Sequence, residues 1–246
     1  MLGLGTGIEY YNLSEELPYD LATNSDLTIW LKFDTGITES SGAVSQWDDS
    51  SGNLNHATNS KASSQPTYSG GKLIFDGNKV LNFATRNDAS FTAICALDLD
   101  ETATLSNEIL IGNNTGGWAI KLYRASGADD VGLRVNGNTA EAGSATSHVD
   151  KQLSTGNLSS GKFLFTTTYN GTNGAVTFRV NAQSAATGTF GGSTFNAFRL
   201  EQMGSGGLTA GQVNADIYEF AYYTSVLSSD DLGLAENAIM SRVGIS

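Results

Sequence analysis

The segment Trp47-Asp-Asp-Ser-Ser-Gly-Asn-Leu-Asn-His-Ala-Thr58 gathers the most chemically capable side chains of this 246-residue chain. Asp48, Asp49, Asn53 and Asn55 place carboxylate and amide oxygens close together in sequence. Such oxygens suit a hard cation such as calcium, which takes about 6–8 of them, although the spacing is not that of an EF-hand loop. The same residue types also build turns by hydrogen-bonding nearby backbone groups. The segment is therefore either a calcium site or a turn that holds itself together. His56 is expected to donate to a backbone carbonyl inside it, and Trp47 to anchor a sheet rather than stack on a sugar.

Other reactive residue types are sparse. Cys95 is the only cysteine, which rules out an intramolecular disulfide. In Phe91-Thr-Ala-Ile-Cys-Ala-Leu97 a two-residue period puts Phe91, Ala93, Cys95 and Leu97 on one strand face, which predicts a buried, inert thiol. His56 and His148 alone do not make a zinc site of the usual kinds. There is no G-x-S-x-G elbow and no Walker loop, and Gly3-x-Gly5-x-Gly7 has no preceding strand to make it a dinucleotide site.

Composition narrows the classes further. Thirteen Lys and Arg against 25 Asp and Glu give a net charge of −12. That balance disfavours nucleic acid, which needs clustered cations, and suits solubility or a basic protein partner. No window approaches the length of uncharged apolar residues that a membrane span needs. Met1 to Glu9 has neither a basic n-region nor an apolar h-region, so no secretory signal is expected.

The elements that would carry these residues are strands. The chain has 29 glycines and only 2 prolines, and short alternating runs are separated by turn dipeptides. Phe163–Tyr169 and Ala175–Val180 flank Asn170-Gly-Thr-Asn-Gly174, a predicted hairpin because Asn and Gly accept positive φ. Asn136-Gly137 after Val131–Val135, and Asp76-Gly77, are expected to turn further hairpins. Ile109–Ile111 and Trp118–Tyr123 read as strands around a loop from Gly112 to Gly117. Residues 182–194 read as a loop or a weak edge strand. In Ala215–Tyr223 the alternation points Ile217 to the core, with Phe220 joining it beyond a register irregularity. One helix is expected near the end: Ser228 or Ser229 caps it, Asp230 and Asp231 favour its positive end, Leu232, Ala235 and Ile239 share a face, and Gly244 follows. Residues 1–24 lack a clear period. They read as an N-terminal arm, with Tyr10, Tyr11, Leu13 and Tyr19 as candidate assembly contacts, or as a lead-in packed on its own domain, which spans residues 25–246.

The run from Val44 to Thr58, followed by Leu73-Ile-Phe-Asp-Gly-Asn-Lys-Val-Leu81, resembles the opening of concanavalin A-like (laminin-G-like) jelly-roll modules. In that family a W-x-D-x-S-G-N-x-N-H-A turn precedes a strand ending in F-D-G. The Val226-Leu-Ser-Ser-Asp-Asp231 entry to the helix is similar to the way such modules end. The resemblance implies an all-β, two-sheet antiparallel jelly-roll sandwich with one short C-terminal helix. It also implies that calcium is conceivable at Asp48, Asp49, Asn53 and Asn55, with no cofactor required.

Enzymes of that fold carry E-x-D-x-x-E on one strand, or R-x-E-x-R with Q-I-H. Asp98-Leu-Asp-Glu101 does not fit either pattern, so no catalytic residue is expected. Jelly rolls bind glycans with exposed aromatics and with Asn or Asp at the rim or on the concave face. The candidates are Trp118 with Asn113 and Asn114, then Tyr123, and also Tyr169, Tyr222 and Tyr223, each with an alternative role in the core. Modules resembling this one recur in tailed-phage virion proteins, and Met1-Leu-Gly-Leu-Gly5 is similar to the starts of such proteins. The expectation is a non-enzymatic virion structural protein, a head decoration, fibre or tail appendage. It would assemble in the host cytoplasm as a homo-oligomer or symmetric array, touching capsid or tail proteins, with a host surface glycan as a further candidate partner. The alternatives are a carbohydrate-binding adhesion module and, behind it, a glycan-cleaving enzyme.

Overall fold

A computed structural model describes residues 19–99, 108–113, 119–124, 131–136, 148–152, 161–183, 186–189, 197–204 and 213–246. Glycine- and asparagine-rich turns cut the chain into short strands. The first are β1 (Leu27–Leu31), β2 (Ile37–Ser40), β3 (Ala43–Trp47), β4 (Ala57–Thr58), β5 (Thr67–Ser69), β6 (Lys72–Asp76), β7 (Leu81–Asp88) and β8 (Ser90–Leu99). Then come β9 (Glu108–Gly112), β10 (Ala119–Arg124), β11 (Val131–Asn136), β12 (His148–Gln152), β13 (Lys162–Asn170) and β14 (Ala175–Val180). The series closes with β15 (Ala186–Thr189), β16 (Phe198–Met203), β17 (Asn214–Tyr223) and the helix α1 (Ser229–Val243).

Every described strand pairing is antiparallel, and the ladder folds back on itself into two layers. The first layer runs β15-β14-β13-β8-β17-β1. The second runs β2-β3-β4-β7-β16-β9-β10-β11-β12. Strands β5 and β6 join them, β6 pairing with β17 and β5 with β3. The chain is thus an all-β sandwich with one C-terminal helix.

Alternation along β8 sends Phe91, Ala93, Cys95 and Leu97 into the core between the layers and Ile94 and Ala96 to the opposite face. Phe91 is the hub of that core. Its ring centroid lies 4.6 Å from Phe198 across the sandwich, 5.6 Å from Tyr222 and 5.9 Å from Tyr169. Each such pair adds about 0.5–1.5 kcal/mol beyond burial. Cys95 is 3% exposed and lies in the same core, where burial pushes its thiol well above the ordinary cysteine range. The native protein is expected to leave Ellman's reagent unreacted until urea unfolds it. Rapid colour from the folded protein would contradict this packing.

The irregularity foreseen in the last strand is a bulge in β17. Ile217 pairs with Leu97 and Glu219 with Ala96, so Tyr218 is the extra residue. Ile217, Phe220 and Tyr222 therefore face the inner core, while Tyr218, Ala221 and Tyr223 face a second core under the helix. Leu232, Ala235, Ile239 and Val243 of α1 fill that second core. The helix begins at Ser228, whose Oγ accepts from the Asp231 N–H at 3.1 Å, and ends at Gly244 with φ +76°.

Two predicted hairpins have a different form. Asp76-Gly77 does turn the chain, with Gly77 at φ +87°, but β6 pairs with β17 and β5 whereas β7 pairs with β16 and β4. The turn passes the chain from one layer to the other. Asn136 pairs with His148, so β11 and β12 are joined by residues 137–147 rather than by a tight turn at Asn136-Gly137. The Asn170–Gly174 hairpin is as predicted. So are the β9–β10 pair and the edge-strand reading within residues 182–194. Of the N-terminal residues, Leu21 is fully buried in the second core and Tyr19 is half-buried against it. Tyr10, Tyr11 and Leu13 lie outside the described residues.

Candidate functional site

The Trp47–Thr58 turn is built around Asp49, which is 7% exposed. Its Oδ1 accepts from the Trp30 N–H at 2.8 Å and the Ser51 N–H at 2.9 Å. Its Oδ2 accepts from the Asn55 N–H at 3.0 Å and lies 2.7 Å from the Ser51 hydroxyl. The Asn53 amide donates to the Leu27 carbonyl and the Asn55 amide to the Thr28 carbonyl, both at 2.9 Å. Strand β1 pairs with β17 on one edge, and these side chains cover its other edge. An uncovered strand edge is a template for pairing with another chain. The motif is therefore a side-chain seal, and the groups around Asp49 aim hydrogens, not lone pairs, at its oxygens. Among the described residues no group of three or more His, Cys, Asp or Glu is placed to hold a metal ion.

His56 departs from expectation within this turn. Its Nδ1 accepts from the Asp49 N–H at 3.1 Å instead of donating to a carbonyl, because the turn folds the ring beneath that amide. Asp48 stands beside it, Oδ1 lying 3.2 Å from Nδ1 and accepting from the Gln46 amide at 2.6 Å. Trp47 is fully buried and its indole N–H is shared between the Lys32 and Thr35 carbonyls at 3.2 and 3.1 Å. It anchors the sheet, as expected.

The glycan candidates separate. Tyr169 and Tyr222 belong to the inner core and Tyr223 to the second core, all with 0% exposure. A core place is the alternative the sequence had left for them, and it excludes stacking on a sugar. Asn113 is 4% exposed at the end of β9. Tyr123 lies in β10, its side chain outside the described set, and Asn114 and Trp118 are outside the described residues. Asp98 pairs in register with Asp216 of β17, a meeting of carboxylates that no spacing in sequence reveals. Lys72 is ion-paired to Asp216, and Lys162 is the register partner of Asp98 on its other side. The row is thus interleaved with cations.

The outer face of the second layer offers a different chemistry. Leu81 and Met203 pair and point inward, so the next pair, Asn82 and Gln202, points outward. The Gln202 amide donates to Asn82 Oδ1 at 2.8 Å, and the Asn82 amide to the Thr58 carbonyl at 3.1 Å. Gly112 is the register partner of Gln202 on the other side, and Ala119 that of Gly112. Beyond Gln202 the β7 ladder bulges: Leu200 pairs with Arg86 but Gln202 with Asn82. The bulge sets Thr85 against Glu201, whose Oε1 accepts from the Thr85 hydroxyl at 3.2 Å and from Arg199. Glu201 is 8% exposed, whereas Arg199 is open to solvent. Bulges commonly re-aim side chains next to sites. Planar amides, a guanidinium, a carboxylate and a hydroxyl on one face are the donors and acceptors that polyhydroxyl ligands use. The sequence singled out none of these side chains, because strands far apart in the chain supply them.

The fold is a jelly-roll β-sandwich with a row of polar side chains on its outer sheet. No family model matches the chain, and no curated protein matches it by sequence. Solved structures do. The binding domain of botulinum neurotoxin DC in complex with SialylT is 15% identical, with a TM-score of 0.59 over 89% of this chain and 52% of that one. The ligand-binding domain of botulinum neurotoxin serotype D in complex with N-acetylneuraminic acid is 11% identical, with a TM-score of 0.61 over 91% of this chain and 54% of that one. Trypanosoma rangeli sialidase is 13% identical, with a TM-score of 0.59 over 89% of this chain and 33% of that one. The chain spans about half the length of the toxin domains and a third of the sialidase. At such identities the likeness is one of fold.

Proposed function

We propose that this chain is a non-catalytic carbohydrate-binding module whose glycan lies across the outer face of the second layer. The observation that carries the proposal is the row of outward polar side chains Asn82, Gln202, Glu201, Arg199 and Thr85. Support also comes from structural neighbours that were solved with SialylT and N-acetylneuraminic acid. Function does not follow from fold alone, so the face must carry the argument. A non-catalytic role is preferred because Glu201 is held by Arg199 and Thr85, and Asp216 by Lys72. A place in a virion, with capsid or tail proteins as partners, draws no support from the fold or from the neighbours named above. The carbohydrate reading is preferred to it.

The test is a glycan array followed by calorimetry on the best ligand. Gln202→Ala removes an amide from the centre of the face and is expected to weaken binding about tenfold, the loss of one good hydrogen bond. Asp230→Ala, on the exposed first turn of α1, is expected to leave affinity unchanged. No glycan bound by the wild type, or equal affinities for wild type and Gln202→Ala, would remove the proposal.

A further inference from the structure

Within the carbohydrate reading just given, on which this inference rests, we infer that the ligand is an uncharged glycan, recognised through vicinal hydroxyls, and that acidic sugars are rejected. The evidence is how the face spends its charge. Arg199 is the exposed cation of the row, and it is ion-paired to Glu201 on the same strand. Glu201 side-chain exposure is only 10%, against 44% for Arg199. The carboxylate is therefore the fixed, partly desolvated member of the pair. Lys121 on β10, the strand beyond β9, already has a partner. Around the pair stand uncharged groups: the Asn82 and Gln202 amides and the Thr85 hydroxyl.

An incoming carboxylate would meet a guanidinium already ion-paired to Glu201, and beside it a carboxylate that repels it. Like charges set against each other in an interface are a main source of rejection. A neutral sugar meets no such opposition. One hydroxyl can donate to Glu201 while its neighbour accepts from Arg199, and both can exchange bonds with the amides. The remoter field points the same way, since the chain carries a net charge of −12 and repels anions at low ionic strength. The sialylated ligands of the structural neighbours therefore do not set the ligand class here.

The experiment compares matched pairs on one array and in calorimetry: glycans with and without terminal sialic acid, and sialosides as free acid and as methyl ester. The neutral member of each pair is expected to bind about tenfold better or more at low salt. Its affinity should hardly change with salt, whereas residual binding of the acid should rise as salt screens the repulsion. Glu201→Gln keeps the shape but frees the charge of Arg199, so it should weaken neutral ligands and reduce or invert the preference. Near-ultraviolet circular dichroism would establish that this variant is folded, and the salt series on the wild type stands without it. Preferential binding of the acidic member overturns the inference and leaves the module reading in place. Binding of neither member removes both.

Discussion

Glu219→Ala is expected to lower the stability of the folded chain by about 3–5 kcal/mol, the cost of stranding one partner of a buried ion pair. Glu219 is fully buried on the bulge of β17. Its Oε1 accepts from the Trp30 indole N–H at 2.7 Å and from Arg242 of α1 at 2.7 Å, and its Oε2 accepts from Arg242 Nε at 3.3 Å. The Arg242 guanidinium also lies 5.1 Å from the Trp30 ring centroid. Alanine would leave the buried indole N–H with no acceptor and the largely buried guanidinium without its carboxylate. A second pair of opposite polarity, Glu236 of α1 with Arg179 of β14 at 2.9 and 3.0 Å, ties the other part of the helix to the same layer. The two pairs fix the register of the helix in a way that its apolar face alone cannot. Equilibrium urea unfolding measures the loss. Glu219→Gln should cost less, because an acceptor for Trp30 remains, and Asp230→Ala should cost under about 1 kcal/mol. A Glu219→Ala midpoint equal to that of the wild type would show that the helix is held by apolar packing alone.

Asp49→Ala is expected to cost about 3 kcal/mol, because hydrogen bonds to a carboxylate contribute about 1.5–3 kcal/mol each and do not simply add. The N–H groups of Trp30, Ser51 and Asn55 would lose their acceptor together. The edge of β1 would open with them, so light scattering on warming should begin earlier than in the wild type. Its neighbour supplies the control. Asp48 has a side chain 44% exposed, and Asp48→Ala should change stability by no more than about 0.5 kcal/mol. Calcium and chelator titrations belong to the same experiment. A melting temperature that rises with calcium and falls back with chelator would mean that these oxygens serve a cation and not the strand edge. No change with either is the expected result.

The contrast between Asp48 and Asp49 shows where reading a sequence stops. Both lie in one motif, and local rules give either of them to a turn or to a cation. The choice is made by β1, which brings the Trp30 N–H and the Leu27 and Thr28 carbonyls to the turn from outside it. Glu219 and Glu236 were invisible for the same reason. A charged residue in a strand or helix suggests solvent, and only the docking of α1 on the first layer encloses both carboxylates with their arginines. The mistaken hairpin at Asp76-Gly77 has a related cause. A glycine that accepts positive φ dictates that the chain turns, not which strand it pairs with afterwards.

What the chain determined by itself is everything that depends on near neighbours. Period-two alternation set the inner face of β8, Asn-Gly chemistry turned the Asn170–Gly174 hairpin, and Ser228 with Gly244 bounded the helix, because each requires only residues a few positions apart. The inert setting of Cys95 followed from the same alternation. The tertiary structure alone decided the pairing of β7 with β16, and hence the polar face of Asn82, Thr85, Arg199, Glu201 and Gln202. It also decided the second core beneath α1. Those contacts join residues more than a hundred positions apart in some cases, such as Thr85 with Glu201. Their partners are selected by how two layers bury a common core, which no local pattern encodes.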